Sequence, residues 1–115
     1  MELVTPLCKS GFLSSEPQVI FKLGAPNKRA KFKLFRLHNQ SADCVKIKVF
    51  FANEFGVLIP LVPINYDLEA GGTIFPFEKD DIGLSEVNAG SAIHVSANVS
   101  NEVSYLLTGD DILVI

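Results

Sequence analysis

The sequence predicts an all-β fold: an antiparallel β-sandwich, jelly-roll-like, of about eight strands. Three observations predict it. Apolar and polar residues alternate with period two in AKFKLFRLHN, VKIKVFF, SAIHVSANV and VSYLL, which is the pattern of a strand with one face buried. Polar turns rich in Gly, Pro, Asn and Asp separate these runs at short, regular intervals. No stretch long enough for a domain-sized helix carries a 3.6-residue period. With 115 residues the chain makes one domain.

Residues 1–17 contain Pro6, Gly11 and Pro17 and show no clear period, so they read as an N-terminal arm or a first short strand. The sandwich domain is then 18–115. Gln18–Leu23 is a strand, and GAPNKR is a turn in which Pro26 fixes φ. Ala30–Asn39 is a strand with a phase slip. Ala30, Phe32 and Leu34 share one face, after which Phe35 and Leu37 take over, as a β-bulge near Leu34–Phe35 would produce. Val45–Phe51 is the clearest strand, with Lys46 and Lys48 outward. The alternation joins these two strands into one hairpin, and Ser91–Val99 and Val103–Thr108 into another.

Between the hairpins lies a segment rich in Pro and Gly. Val57–Val62 is apolar throughout but holds Pro60, which lacks a donor and so belongs on an edge or at a bend. Asn65–Leu68 leads into the turn Glu69–Gly72, where one glycine is expected at positive φ. Thr73–Phe77 is a strand broken by Pro76. Glu78–Glu86 is polar, with room for one helical turn. Gly109-Asp110-Asp111 is expected to turn into a last strand, Ile112–Ile115.

Apolar residues make up 48% of the chain, the mean hydropathy is +0.30, and there are nine Phe. A domain of this size leaves roughly a third of its unfolded-chain surface exposed. Part of the apolar content is therefore expected in a subunit or partner interface. The net charge of −3 is too small to imply nucleic acid or membrane. Its distribution is uneven: nine of ten Lys and Arg lie between Lys9 and Lys48, and ten of thirteen Asp and Glu from Glu54 onward. If Ala30–Asn39 pairs with Val45–Phe51, then Lys31, Lys33, Lys46 and Lys48 crowd one surface. Such like charges need solvent, neighbouring acids or a partner's carboxylates.

Cys8 and Cys44 fit no metal or redox spacing and are expected to be buried free thiols. The N-terminus has neither a basic n-region nor an apolar h-region, and no run approaches a membrane span. The expected site of synthesis is therefore a cytoplasm, where thiols stay reduced. Neither His38 nor His94 has a catalytic partner in sequence, and GxSxG and HExxH are absent. The pairs Asp80-Asp81 and Asp110-Asp111 are turn acids where a cation could sit, but they lack the alternating oxygen ligands of a calcium loop. No enzyme activity and no cofactor are expected.

The motif order FRLHNQSADCVKIKVFF, LEAGGTI and GLSEVNAGSAIHVSANVSNEVSYLLTG resembles small tailed-bacteriophage virion proteins. The likeness runs from about Lys31 to Gly109 and rests on Leu37, Asn39, Ser41, Val45–Phe51, Leu68, Gly71, Gly72, Leu84, Gly90, Ser91, Ile93, Ala97, Asn101, Val103, Tyr105 and Gly109. These are turn and core residues, so the resemblance implies a jelly roll first. It further implies a capsid decoration (cement) protein in the virion, on the capsid exterior, binding the major capsid protein. A homotrimer is expected, with a dimer as second choice. The leading segment and 111–115 lie outside the resemblance and are candidate arms. The partner-binding candidates are Leu3, Val4, Leu7, Phe12 and Leu13 on the arm, with Lys31, Lys33, Lys46 and Lys48. The alternative is a tail- or fibre-associated β-sandwich module that binds host glycan or another tail protein, with Phe55, Tyr66 and Phe75 as exposed aromatics. A small hydrolase or metal enzyme is a third class, disfavoured by the missing motifs.

Overall fold

Alternating strands with one apolar face must bury that face against another layer. The computed structural model, which describes residues 1–77 and 86–115, does so with two antiparallel sheets. In chain order the strands are β1 (Glu2–Phe12), β2 (Gln18–Lys22), β3 (Lys28–Asn39), β4 (Val45–Ala52), β5 (Leu58–Pro60), β6 (Tyr66–Leu68), β7 (Thr73–Ile74), β8 (Glu86–Asn88), β9 (Ala92–Ala97) and β10 (Val103–Val114). One sheet runs β1-β10-β3 and then β7 and β8. The other runs β2-β9-β4 and then β5 and β6. β5 and β6 share one side of β4, and β7 and β8 share one side of β3. Ten segments thus fill eight strand positions, arranged as a jelly roll. Pro63 lies in the connection between β5 and β6.

Both expected hairpins are instead crossings between sheets. β3 pairs with β10, and β4 pairs with β9. Alternation cannot tell the two apart, because either connection leaves one face of each strand buried. The crossing from β3 to β4 is fixed by Asn39, which is fully buried. Its Nδ2 group donates to the carbonyls of Asp43 at 2.8 Å, Leu68 at 2.9 Å and Glu69 at 3.1 Å. Its Oδ1 accepts the Ser41 N–H at 3.0 Å. One amide thereby ties the crossing to the turn between β6 and β7. In that turn Gly71 has φ +70°, as expected.

The phase slip in β3 is a bulge at Lys33. Leu34 faces Thr108 and Phe32 faces Gly109, so the Lys33 backbone has no register partner on β10. Ala30 and Phe32 are buried before it, and Phe35, Leu37 and Asn39 after it. The rest of β10 departs from expectation. Gly109-Asp110-Asp111 is not a turn: β10 is one continuous strand of twelve residues. Asp110 and Asp111 are held there by Lys33 at 3.4 Å and Lys28 at 3.6 Å. The core between the sheets contains a chain of rings, with Phe21 to Phe32 at 5.1 Å, Phe32 to Phe77 at 5.5 Å and Phe35 to Phe77 at 5.6 Å.

The leading segment is built into the sheet. β1 pairs with β10 over all eleven of its residues, from Glu2 opposite Val114 to Phe12 opposite Ser104. Pro6 does not interrupt it. Leu13 N–H donates to Val103 O and Ile115 N–H to Met1 O, so the odd residues of β1 bond to β10 and the even ones face outward. Pro6 falls in the outward phase and loses no bond. Pro60 does the same on β5, since the bonds from Asn53 N–H to Val57 O and from Leu61 N–H to Val49 O flank it. Both edges carry a proline where an added strand would need a donor. Of Glu78–Glu86, read as polar with room for a helical turn, Glu86 begins β8; 78–85, with Asp80 and Asp81, lie outside the described residues.

Cys8 and Cys44 are free but exposed, not buried. Cys8 is in the outward phase of β1, and Cys44 precedes β4 in the exposed crossing. Both are expected to react with a thiol reagent in the native protein, giving two equivalents per chain without denaturant. One equivalent or none would place a thiol under cover.

Candidate binding surfaces

The sequence-predicted site residues fall into four places. Leu7 and Leu13 are core residues and are not available to a partner. Leu3, Val4 and Phe12 remain exposed along β1, Val4 by 56%. The four lysines do not share a face. Lys31 and Lys33 lie on β3 in one sheet, Lys46 and Lys48 on β4 in the other, so the basic stripe is split between opposite sides of the sandwich. The hairpin that would have joined them is the crossing at Asn39.

Three of these cations differ in their partners. Lys33 pairs with Asp110. Lys46 Nζ donates to Asp67 Oδ1 at 2.8 Å across the β4–β6 pairing. That hydrogen bond, then the carboxylate's charge, raises the Lys46 pKa above its ordinary 10.5. The sign follows from linkage: the pair's contribution is complete below the ordinary lysine pKa and is lost as pH rises through the raised one. Both groups are solvent-exposed, so the pair is screened and weak. Lys48 has no ion pair among the described residues.

A second apolar surface lies on the opposite edge, which sequence periodicity did not single out as a unit. Phe55 (82% exposed), Val57, Leu58, Ile59 and Ile64 (65% exposed) surround β5. VLIPLV takes the edge position that Pro60 implies. β5 is the outermost position of its sheet, so Val57, Leu58 and Ile59 are exposed, while Leu61 and Val62 pack partly against the core. Of the aromatics considered for a loop surface, Phe55 and Phe75 are exposed, while Tyr66 packs against the core.

Between these edges, the outer face of the β2-β9-β4 sheet forms a groove of about 610 Å³. Lys46, Lys48 and Phe50 from β4 and His94, Ser96 and Asn98 from β9 and its exit line the floor. Ser15 and Pro17 stand on one side, Leu58 and Asn65 on the other. Lys48 is directly opposite Ser96, and Phe50 opposite His94. Among the described residues no group of three His, Cys, Asp or Glu side chains is placed to hold a metal ion. Among the described residues no helix is long and apolar enough to cross a membrane.

No family model matches the sequence, and no curated protein matches it. Among solved structures, the chain is similar to one in the structure of infectious bursal disease virus Gt strain, with 7% identity and a TM-score of 0.38, covering 97% of this chain and 32% of that one. A likeness this slight carries no argument about function.

Proposed function

We propose that this chain is a capsid decoration (cement) protein of a tailed bacteriophage, attached non-covalently to the outside of the head. The observation that carries the reading is the pair of exposed apolar surfaces on opposite edges, Leu3, Val4 and Phe12 on β1 and Phe55, Val57, Ile59 and Ile64 around β5. Exposed large apolar side chains gathered on an edge mark an interaction site. Such residues on two edges of one sandwich let it bridge two neighbours. The prolines at both edges disfavour strand addition, so the contacts are made by side chains. One edge meets the major capsid protein and the other a further copy, in a homotrimer. A protein that binds only the assembled shell stabilises it by mass action, by about 2.7 kcal/mol when its free concentration is about 100 times Kd. The motif order from Lys31 to Gly109 supports the same reading.

The test is co-sedimentation of the purified chain with heads and, separately, with tails. Wild type is expected with heads. Val4→Asp with Phe12→Ser, and Ile59→Asp with Ile64→Asp, are each expected to weaken attachment or trimer mass at least tenfold while leaving the far-ultraviolet spectrum unchanged. Sedimentation with tails alone would favour the tail-module reading. Wild-type attachment by both double variants would remove the edges from the interface.

A further inference from the structure

We infer that the groove on the outer face of the β2-β9-β4 sheet binds a saccharide that carries a carboxylate. The inference does not depend on where in a particle the chain sits. The groove's volume, about 610 Å³, lies within the range of small-ligand sites, roughly 300–1,000 Å³.

Its floor is made by β4 and β9, each hydrogen-bonded to neighbours on both sides. No backbone donor or acceptor is left there for an extended peptide to pair with, so recognition must come from side chains. Those side chains divide into two sets. Lys46 is bonded to Asp67. Asn98 Oδ1 accepts the Lys46 N–H at 3.1 Å, and Asn98 N–H donates to Lys46 O at 2.9 Å. The side chains of Lys48, His94 and Ser96 make no hydrogen bond or ion pair to the described residues. They sit on adjacent positions of two strands, so an ammonium, an imidazole and a hydroxyl converge within one small area. Phe50, half-buried beside them, offers a ring face, and Leu58 an apolar wall.

A sugar ring matches this set. Its C–H face packs on Phe50, and its hydroxyls, which both donate and accept, complement the Ser96 hydroxyl and the His94 ring nitrogens. The unpaired Lys48 supplies one positive charge for one carboxylate. A phosphate would be less well served, because the groove has neither a helix N-terminus nor an arginine fork.

The experiment is a chemical-shift titration of the full chain with 3′-sialyllactose and with trigalacturonic acid, using lactose as the neutral comparator and uridine monophosphate as the phosphate comparator. Saturable shifts at Lys48, Phe50, His94 and Ser96 are expected with at least one acidic saccharide, and at least tenfold weaker binding of lactose. Lys48→Gln should lower affinity for the acidic saccharide to the level of lactose, a loss of at least tenfold. Phe50→Ala should abolish binding of either. His94→Ala, at a half-buried surface position, tests the same floor if the Phe50 variant does not fold. No saturable shift with either acid at millimolar concentration, shifts that map elsewhere, equal binding of lactose, or tighter binding of the nucleotide would each overturn the inference. Co-sedimentation with heads is read independently of these titrations, so the two readings fail separately.

Discussion

Gly109→Ala is expected to destabilise the fold by about 3 kcal/mol or more, at the upper end of what overpacking costs. An ideal Cβ at Gly109 would lie 2.1 Å from the Lys31 carbonyl oxygen, 2.9 Å from Phe32 Cα and 3.0 Å from the Lys31 carbonyl carbon. All three are backbone atoms of β3, so no side chain can swing away. The close approach exists because β3 bulges at Lys33, and the strands settle against each other where β10 has no side chain. Shifting them apart would break the pairing of Phe32 with Gly109 and disturb the phase that buries Phe32 on one side and Phe35 on the other. At about 4 °C per kcal/mol for a domain of this size, the melting temperature should fall by on the order of 12 °C. Gly71→Ala is the control. An added Cβ there meets nothing within 4 Å, but φ is +70°, so only the backbone preference is lost, about 1 kcal/mol. Equal effects at the two glycines would show that space at Gly109 is not the constraint.

That contrast also shows what the sequence makes legible. The strands, the phase slip in β3 and the edge position of Val57–Val62 can be read because each follows from which side chains are apolar and where a proline removes a donor. Sheet membership cannot. In β3 and β4 the alternation is equally satisfied by a hairpin and by a crossing, and the bonds of the buried Asn39 side chain favour the crossing. The same ambiguity sent Lys31 and Lys33 to one side and Lys46 and Lys48 to the other. β1 was illegible for a different reason. Only Leu7 is buried along Glu2–Phe12, so an edge strand exposed on nearly all positions leaves no period to find. Likewise Gly109-Asp110-Asp111 has turn composition, yet here the glycine is needed for close approach and the acids for Lys33 and Lys28. The groove was half visible. Lys46 and Lys48 stood out as charges and His94, Ser96 and Asn98 as an outward face, but nothing in the sequence places β4 beside β9.

Asn39→Asp is expected to have an effect of comparable size, and to reverse the usual dependence of stability on pH. The Asn39 side chain is fully buried, and its Nδ2 group faces three carbonyl oxygens at 2.8–3.1 Å. Aspartate puts an acceptor where a donor is required. Ionised, it would be a buried, unpaired charge pointing at carbonyl dipoles, and such groups cost about 3–5 kcal/mol. Protonated, it can still donate one hydrogen bond, so the fold raises its pKa above the unfolded value of about 3.9. The stability of the folded variant is then greatest below that unfolded value and is lost as pH rises through the higher folded one. Denaturation at pH 4 and pH 7 should therefore show the variant nearer to wild type in acid and losing at least 3 kcal/mol at neutrality. Asn39→Ala removes the same bonds without adding charge. It should lose about 2–3 kcal/mol, from carbonyls left unsatisfied in the interior, by an amount that does not change between the two pH values. If Asn39→Asp tracks Asn39→Ala at both, the carboxylate has reached solvent. The crossing from β3 to β4 would then be held by something other than this amide.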